Sequence, residues 1–238
     1  VISKKLKINN TVMTNNGSIA ILMALLALNL KKKDEIILQD RTWISSANAI
    51  YLIGAKIKIV DVEKEFQAID LKKIIPMITS KTKVLILTHM NGNYKNIQYI
   101  NKIKRKFPKI TIIEDASQAL FTKFDNKYLG TFGDIGCFSL SVAKILSTGQ
   151  GGFIVTKNNK ISKLLKKMRS HSQDSNTEIK FNNFGFNFRF NDILAAFGLY
   201  NLSGIEKKIK KLIKIYTIYE KGLSETQKVK LIKRSNKS

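Results

Sequence analysis

The chain is short of acid, proline, histidine, cysteine and tryptophan. Of its 238 residues, 17 are Asp or Glu, 2 are Pro, 2 are His, 1 is Cys and 1 is Trp. The lone cysteine, Cys137, cannot close an internal disulfide, so a reducing cytoplasm is the expected setting. No apolar run approaches the roughly 18–20 residues needed to span a bilayer. The longest, Ile19 to Leu30, is the length of one buried helix. The opening Val-Ile-Ser-Lys-Lys has no apolar stretch of signal-peptide type behind it, so neither a membrane nor export is expected. The first residue is not Met, and the chain is expected to be a piece of something longer. What is present excludes a disordered or collagen-like chain: 44% of residues are hydrophobic, with 13 Phe and 7 Tyr, enough for one large domain or two small ones.

With so little acid, 42 Lys and Arg leave a net charge of +25. Such a charge raises nucleic acid or an anionic membrane as partners. The distribution argues against both. Lys, Ile and Asn are abundant along the whole chain, as in proteins of AT-rich genomes, and the lysines form no single stripe with interleaved aromatics. The densest cluster, Lys207 to Lys214, alternates basic and apolar residues at the spacing of an amphipathic surface helix. No specific nucleic-acid partner and no metal is expected.

Short β-branched runs alternate with helical patterns. Residues 35–39, 56–61, 84–89 and 110–115 read as strands, three of them nearly continuous apolar runs suited to burial on both faces. Helical spacing occupies 19–30, 45–52, 71–78 and 97–107. This succession predicts an α/β fold with a mostly parallel sheet flanked by helices. Two further strands, 136–141 and 152–156, surround a Gly-rich turn, and a basic helix follows over 159–170. Residues 172–190 read as a long loop. Helices are expected over 192–202 and 204–223, and the last fifteen residues as a frayed basic tail.

In open parallel sheets, ligands sit beyond the carboxyl ends of the strands, which directs attention to Asp61, His89, Asp115, Ser139 and Lys144. Three segments carry chemistry. Asn15-Asn16-Gly17-Ser18-Ile19 leads into an apolar helix, where free N–H groups and a hydroxyl would hold a phosphate, or where Ser18 is simply the N-cap. Asp115 closes a buried strand and needs a donor or a cation, either a protonated pyridine nitrogen or the N–H groups of the next helix. Lys144 lies between Val142-Ala143 and Ile145-Leu146, apolar company that would favour the neutral amine required by Schiff-base chemistry.

Taken together these segments resemble the DegT-type sugar-nucleotide aminotransferases, fold-type-I enzymes dependent on pyridoxal 5′-phosphate (PLP). The family's Gly-Thr-x-Ala-Leu is similar to Gly17-Ser18-Ile19-Ala20-Ile21. Its Thr-Phe/Trp-x-Ala-Thr-x-Asn-Ala is similar to Thr42-Trp43-Ile44-Ser45-Ser46-Ala47-Asn48-Ala49, and its Gly-Ala-x-Pro-x-Phe-Val-Asp to Gly54 through Asp61. Its Glu-Asp-Ala-Ala-Gln-Ala resembles Glu114-Asp115-Ala116-Ser117-Gln118-Ala119. The family segment ending in the lysine matches from Gly130 to Lys144, with Leu140 for a Phe, and Gly-x-Asn-x-Arg stands as Gly185-Phe186-Asn187-Phe188-Arg189. The matches fall in order across nearly the whole chain.

The resemblance implies that Lys144 binds PLP covalently and shuttles the substrate proton, and that Asp115 keeps the pyridine nitrogen protonated. Trp43 would stack on the ring and Gln118 lie over it. Gly17, Ser18, the Ile19 N–H and Ser139 would hold the phosphate, and Asn187 would reach the phosphate of a second subunit, implying a homodimer. His89 is given a structural role and His171 no catalytic part. The implied reaction moves an amino group, from glutamate, to a keto group of a nucleotide-linked sugar, for amino-sugar and polysaccharide synthesis. The resemblance also implies that relatives with His at the lysine position do dehydration chemistry or none, a branch that Lys144 argues against. Residues 1–203 would form an N-terminally shortened PLP-binding large domain and 204–238 the start of a C-terminal region whose small domain is largely missing. On that ground the alternative is a shortened, weak or inactive homologue acting as a dimeric binding or regulatory protein. Departures from the family are Gln150 in Gly149-Gln150-Gly151-Gly152, the absence of an aromatic in His89-Met90-Asn91-Gly92, a missing Pro after it, and Ser172 in place of a Gly.

Overall fold

The computed structural model describes residues 1–173, 184–224, 226, 229 and 231–235. Its centre is a seven-stranded sheet in the order β1-β9-β8-β5-β4-β2-β3, formed by Asn10–Thr14 (β1), Glu35–Gln39 (β2), Lys56–Val60 (β3), Thr82–Thr88 (β4), Thr111–Asp115 (β5), Ile135–Ser139 (β8) and Gly152–Thr156 (β9). A separate hairpin pairs Lys123–Phe124 (β6) with Lys127–Tyr128 (β7). Strands β3, β2, β4, β5 and β8 are parallel, and β9 runs antiparallel to both β8 and β1. The carboxyl ends of β1, β2, β4, β5 and β8 therefore share one end of the sheet.

The apolar runs of β4, β5, β8 and β9 feed both faces. One face gathers Ile36, Val84, Ile86, Ile113, Ile135, Cys137 and Ile154 under the helices Gly17–Leu26 (α2), Ile44–Leu52 (α3) and Asn159–Met168 (α6). The other gathers Leu85, Leu87, Ile112, Phe138, Phe153 and Val155 under Leu71–Ile74 (α4) and Tyr99–Lys106 (α5). Phe138 and Phe153 stack with centroids 4.5 Å apart, tying β8 to β9. Helix α2 has almost no polar face, and Ala20, Ile21, Met23, Ala24 and Leu25 are all buried. Each large apolar side chain so buried contributes about 1.5–3 kcal/mol.

The structure adds and trims elements. A short helix, Ile2–Leu6 (α1), and strand β1 lie where no element was expected. The helix expected over 19–30 begins at Gly17 and ends at Leu26, and the one over 71–78 is only one turn long before a 3₁₀ turn at Ile75–Met77 that contains Pro76. Strand β3, the one of the four expected strands without a continuous apolar run, lies at the edge of the sheet with Ile59 exposed. Of the loop expected over 172–190, residues 174–183 lie outside the described residues. Residues 184–190 are held to the end of α6 and to Asn15: the Phe188 N–H donates to the Arg169 carbonyl, and the Asn15 N–H to the Phe188 carbonyl. Helices Asp192–Ser203 (α7) and Ile205–Ser224 (α8) follow, separated at Gly204.

The tail is not frayed where it is described. The Lys233 N–H donates to the Glu65 carbonyl, the Tyr94 N–H to Ser235 Oγ, and the Arg234 guanidinium lies 4.0 Å from the Tyr216 ring centroid. Among the described residues no helix is long and apolar enough to cross a membrane.

Cys137 is fully buried in β8. Burial, and then the neighbouring Asp115 charge, push its thiol well above the ordinary cysteine range. The native protein is expected to leave this thiol unmodified by a soluble alkylating reagent and to react only when unfolded. Stoichiometric labelling of the native form, followed by mass spectrometry, would contradict the packing of β8.

Candidate active site

The shared end of the sheet is assembled by close backbone contact. Thr14 of β1 pairs with Gly152 of β9, which pairs with Ser139 of β8. The chain turns from Thr14 through Asn15 and Asn16 into α2. A Cβ on Gly152 would stand 2.5 Å from the Asn16 carbonyl carbon and 2.7 Å from the Gly17 nitrogen, and one on Gly17 would stand 2.8 Å from Ser139 Cβ. Only glycine lets the helix start seat on the two strands here. Gly17 and Ser139, named separately from the sequence, thus lie against each other.

The helix cap differs from expectation. Asn16, not Ser18, is the N-cap, and its Oδ1 accepts the Ile19 N–H at 2.8 Å. In this structure the Ile19 N–H is therefore engaged within the chain. The Gly17 and Ser18 N–H groups have no partner inside the helix, and the exposed Ser18 hydroxyl makes no hydrogen bond among the described residues. These groups and Ser139 Oγ face the positive end of α2, an arrangement suited to an anion.

Asp115 ends β5 between Thr88 of β4 and Cys137 of β8. It is 3% exposed. Its Oδ1 accepts the Ser117 N–H at 3.1 Å, and among the described residues no cation pairs with it. One position earlier, Glu114 points to the other face and is fully satisfied. It accepts from His89 Nε2 at 2.8 Å, the Gly130 N–H at 2.8 Å and the Gly133 N–H at 2.6 Å. Burial works to raise the Glu114 carboxyl, but the hydrogen bond and attraction of His89 and the two glycine N–H groups outweigh it and hold the group below the ordinary carboxylate value. His89 is thus a buried structural partner of Glu114.

Gln118 is exposed, and its Oε1 accepts the Asn91 N–H at 3.0 Å, which fixes it to the turn after β4. Lys144 lies in the loop after β8. Its N–H closes a turn onto the Ser141 carbonyl at 3.0 Å, and its own carbonyl accepts from Lys208 Nζ of α8 at 3.4 Å. Its apolar company is one-sided: Leu146 is buried and Ile145 packs on the core, but Val142 is 78% exposed and Ala143 is exposed too. Trp43 is the N-cap residue of α3 and is 66% exposed, free to present its ring to a ligand. Asn187 is exposed on the segment bridged to Ser170, one residue before the Phe188 carbonyl that accepts the Asn15 N–H, and its Oδ1 accepts the Arg189 N–H at 3.4 Å. At Ser172, the family's glycine position, the backbone is left-handed with φ 56°, and the hydroxyl donates to the Phe184 carbonyl.

The chain belongs to the DegT/DnrJ/EryC1/StrS aminotransferase family, whose model matches residues 1–238. It is 32% identical over 215 residues to GDP-perosamine synthase of Escherichia coli, covering 90% of this chain and 59% of that protein. To UDP-N-acetyl-3-dehydro-alpha-D-glucosamine 3-aminotransferase of Acidithiobacillus ferrooxidans it is 33% identical over 184 residues, covering 76% and 48%. A sugar aminotransferase from Micromonospora echinospora shares the fold, with a TM-score of 0.91 at 23% identity over 99% of this chain and 67% of that one. Escherichia coli GDP-4-keto-6-deoxy-D-mannose-3-dehydratase, solved with hydrated PLP, gives a TM-score of 0.89 at 26% identity over 98% and 66%. The chain spans 59% of the length of the first of these curated relatives.

The residues present fit PLP. A buried carboxylate with no cation paired to it among the described residues suits a protonated ring nitrogen, a glycine cradle at a helix start suits the phosphate, and an amine lies in the loop between β8 and β9. Asn16, Gly152 and Glu114 were not singled out from the sequence. The preference of helix N-caps for Asn would have found Asn16. Glu114 shows only as a second acid in an apolar strand, and the need for Gly152 is visible only once β9 meets α2.

Because the folded-state value of Glu114 lies below the unfolded one, its stabilisation is full above the ordinary carboxylate range and is lost as pH falls through the folded value. Glu114→Gln should cost about 3 kcal/mol at neutral pH, since an amide must face one of three donors. Urea unfolding across pH should show the gap between the two proteins closing in acid. A gap that stays constant, or none at neutral pH, would contradict this account of the buried cluster.

Proposed function

We propose that this chain is the cofactor-binding portion of a PLP-dependent aminotransferase. It would move an amino group, from glutamate, to a keto group of a nucleotide-linked sugar, in amino-sugar and polysaccharide synthesis in the cytoplasm. The observation that carries the reading is Asp115, a buried strand-end carboxylate with no cation paired to it among the described residues, at the same end of the sheet as a helix start suited to an anion. The names of the sugar aminotransferases among its relatives supply the substrate class.

PLP, when bound, supplies an electron sink for the carbanion formed at the amino-bearing carbon. The protein's part is to place and protonate. Asp115 would hold a proton on the ring nitrogen by its charge. The Gly17 and Ser18 N–H groups and the Ser18 and Ser139 hydroxyls hold the phosphate, with the Ile19 N–H available only if Asn16 releases it. Trp43 would cover one face of the ring, and Gln118, fixed by Asn91, would limit its movement. Lys144 would hold the cofactor through its side-chain amine, and that amine would serve as the general base and acid for the substrate proton. A lysine here, where the dehydratases of the family carry histidine, supports transamination.

We also propose a homodimer. Ile193, Leu199 and Tyr200 of α7 are exposed, as are Phe184, Phe186 and the Asn187 between the latter and Phe188. An apolar surface of this kind is commonly an interface, and a second copy seated there would bring Asn187 toward its partner's phosphate. Residues 1–203 would form the cofactor domain, and residues 204–238 would open a C-terminal region.

Borohydride reduction of PLP-loaded protein, followed by peptide mapping, tests the reading. A pyridoxyl adduct on Lys144 is expected, absent in Lys144→Ala, together with glutamate-dependent conversion of the cofactor to its amine form. PLP uptake without that conversion would favour the shortened binding or regulatory homologue. Failure to take up PLP would overturn the proposal.

A further inference from the structure

Arg41 lies just beyond the carboxyl end of β2, two residues before Trp43. Its backbone is fixed on both sides. The Arg41 N–H donates to Asp40 Oδ1 at 2.7 Å, and its carbonyl accepts from Gln39 Nε2 at 2.7 Å. Asp40 is tied in turn to the segment at and after β3, through the Val60 carbonyl and the Val62 N–H. Thr42 shares a hydrogen bond of 2.8 Å with Thr88 at the end of β4. A rigid loop therefore presents a partly buried side chain at the same end of the sheet as Asp115.

The guanidinium is not matched by this framework. Arg41 Nη1 is buried with no hydrogen-bond partner, and among the described residues no carboxylate forms an ion pair with Arg41. Asp40 Oδ1, the nearest acidic oxygen in sequence, is taken by two backbone N–H groups. A guanidinium nitrogen withdrawn from water without an acceptor destabilises the fold unless something else fills the place. The sheet order puts β8, with Ser139, on one side of Asp115 and β4 then β2, with Arg41, on the other. The two anion-seeking groups thus flank the carboxylate from opposite sides.

We propose that Arg41 receives a carboxylate of the amino donor, an assignment that rests on the aminotransferase reading. Its planar fork matches a carboxylate through two parallel hydrogen bonds. The diphosphate of the sugar nucleotide is the other anion that this reaction class brings.

Calorimetric titration separates them. Glutarate, which is glutamate without its amino group, and UDP and GDP serve as probes, with the full chain loaded with PLP and again without it. Arg41→Gln is expected to weaken glutarate binding about 10- to 100-fold and to leave the nucleotides unchanged, with Arg41→Lys in between. Should Arg41→Gln fail to fold, Arg41→Lys alone decides, since it keeps the charge, loses the fork and is expected to weaken glutarate roughly tenfold. Glutarate binding that is absent from the wild type, equal in the variants, or retained while nucleotide binding falls would overturn the proposal. PLP uptake, measured in the same samples, reports separately on the aminotransferase reading.

Discussion

A carboxylate that is 3% exposed and has no cation paired to it among the described residues is costly to fold around, and this protein folds around one at Asp115. The strand that carries it is held between β4 and β8, and the Ser117 N–H bonds one of its oxygens. Everything else at this end of the sheet is arranged about that position. The start of α2 and Ser139 lie toward one edge, Thr88, Arg41 and Trp43 toward the other, and the lysine loop leaves from β8. The neighbouring acid, Glu114, shows how the fold treats a carboxylate it means to satisfy internally: His89 and two glycine N–H groups surround it. Adjacent positions on one strand thus differ: Glu114 is closed into the core by three donors, whereas Asp115 accepts the Ser117 N–H.

The parallel portion of the fold was legible because β2, β4 and β5 are β-branched runs and the intervening helices keep helical spacing. Strand β1 was not. Asn10-Thr-Val-Met-Thr14 is short, carries polar residues and acquires its role only by pairing with β9, which is distant in the chain. Pro76 explains why α4 gives way to a 3₁₀ turn, since a proline has no N–H to continue the i→i−4 ladder. The docked tail was illegible for a related reason: the partners of Lys233 and Ser235 are near Glu65 and Asn93, and nothing in a basic, polar stretch announces them.

Much of the site could be read as types of residue but not as contacts. Gly17 and Ser139 were separate candidates, and the structure brings them together. The cap at Asn16 changes what Ile19 can offer, because one backbone N–H cannot serve a cap and a ligand fully at once. Gln118 is held by Asn91, so the altered turn after His89 bears directly on a residue expected over the ring. Lys144 was read as sheltered on both sides, yet the shelter is on the Ile145 and Leu146 side alone. Trp43 and Val142 are exposed at 66% and 78%, which the apolar character of their segments did not announce.

The account stands on Asp115 holding a proton on a bound pyridine ring. The direct measurement is the nitrogen-15 resonance of ring-labelled PLP bound to the protein, followed through neutral pH in the wild type and in Asp115→Asn. The account predicts a protonated ring nitrogen in the wild type and an unprotonated one in the variant, with PLP still bound to both. A ring nitrogen in the same state in the two proteins would contradict it.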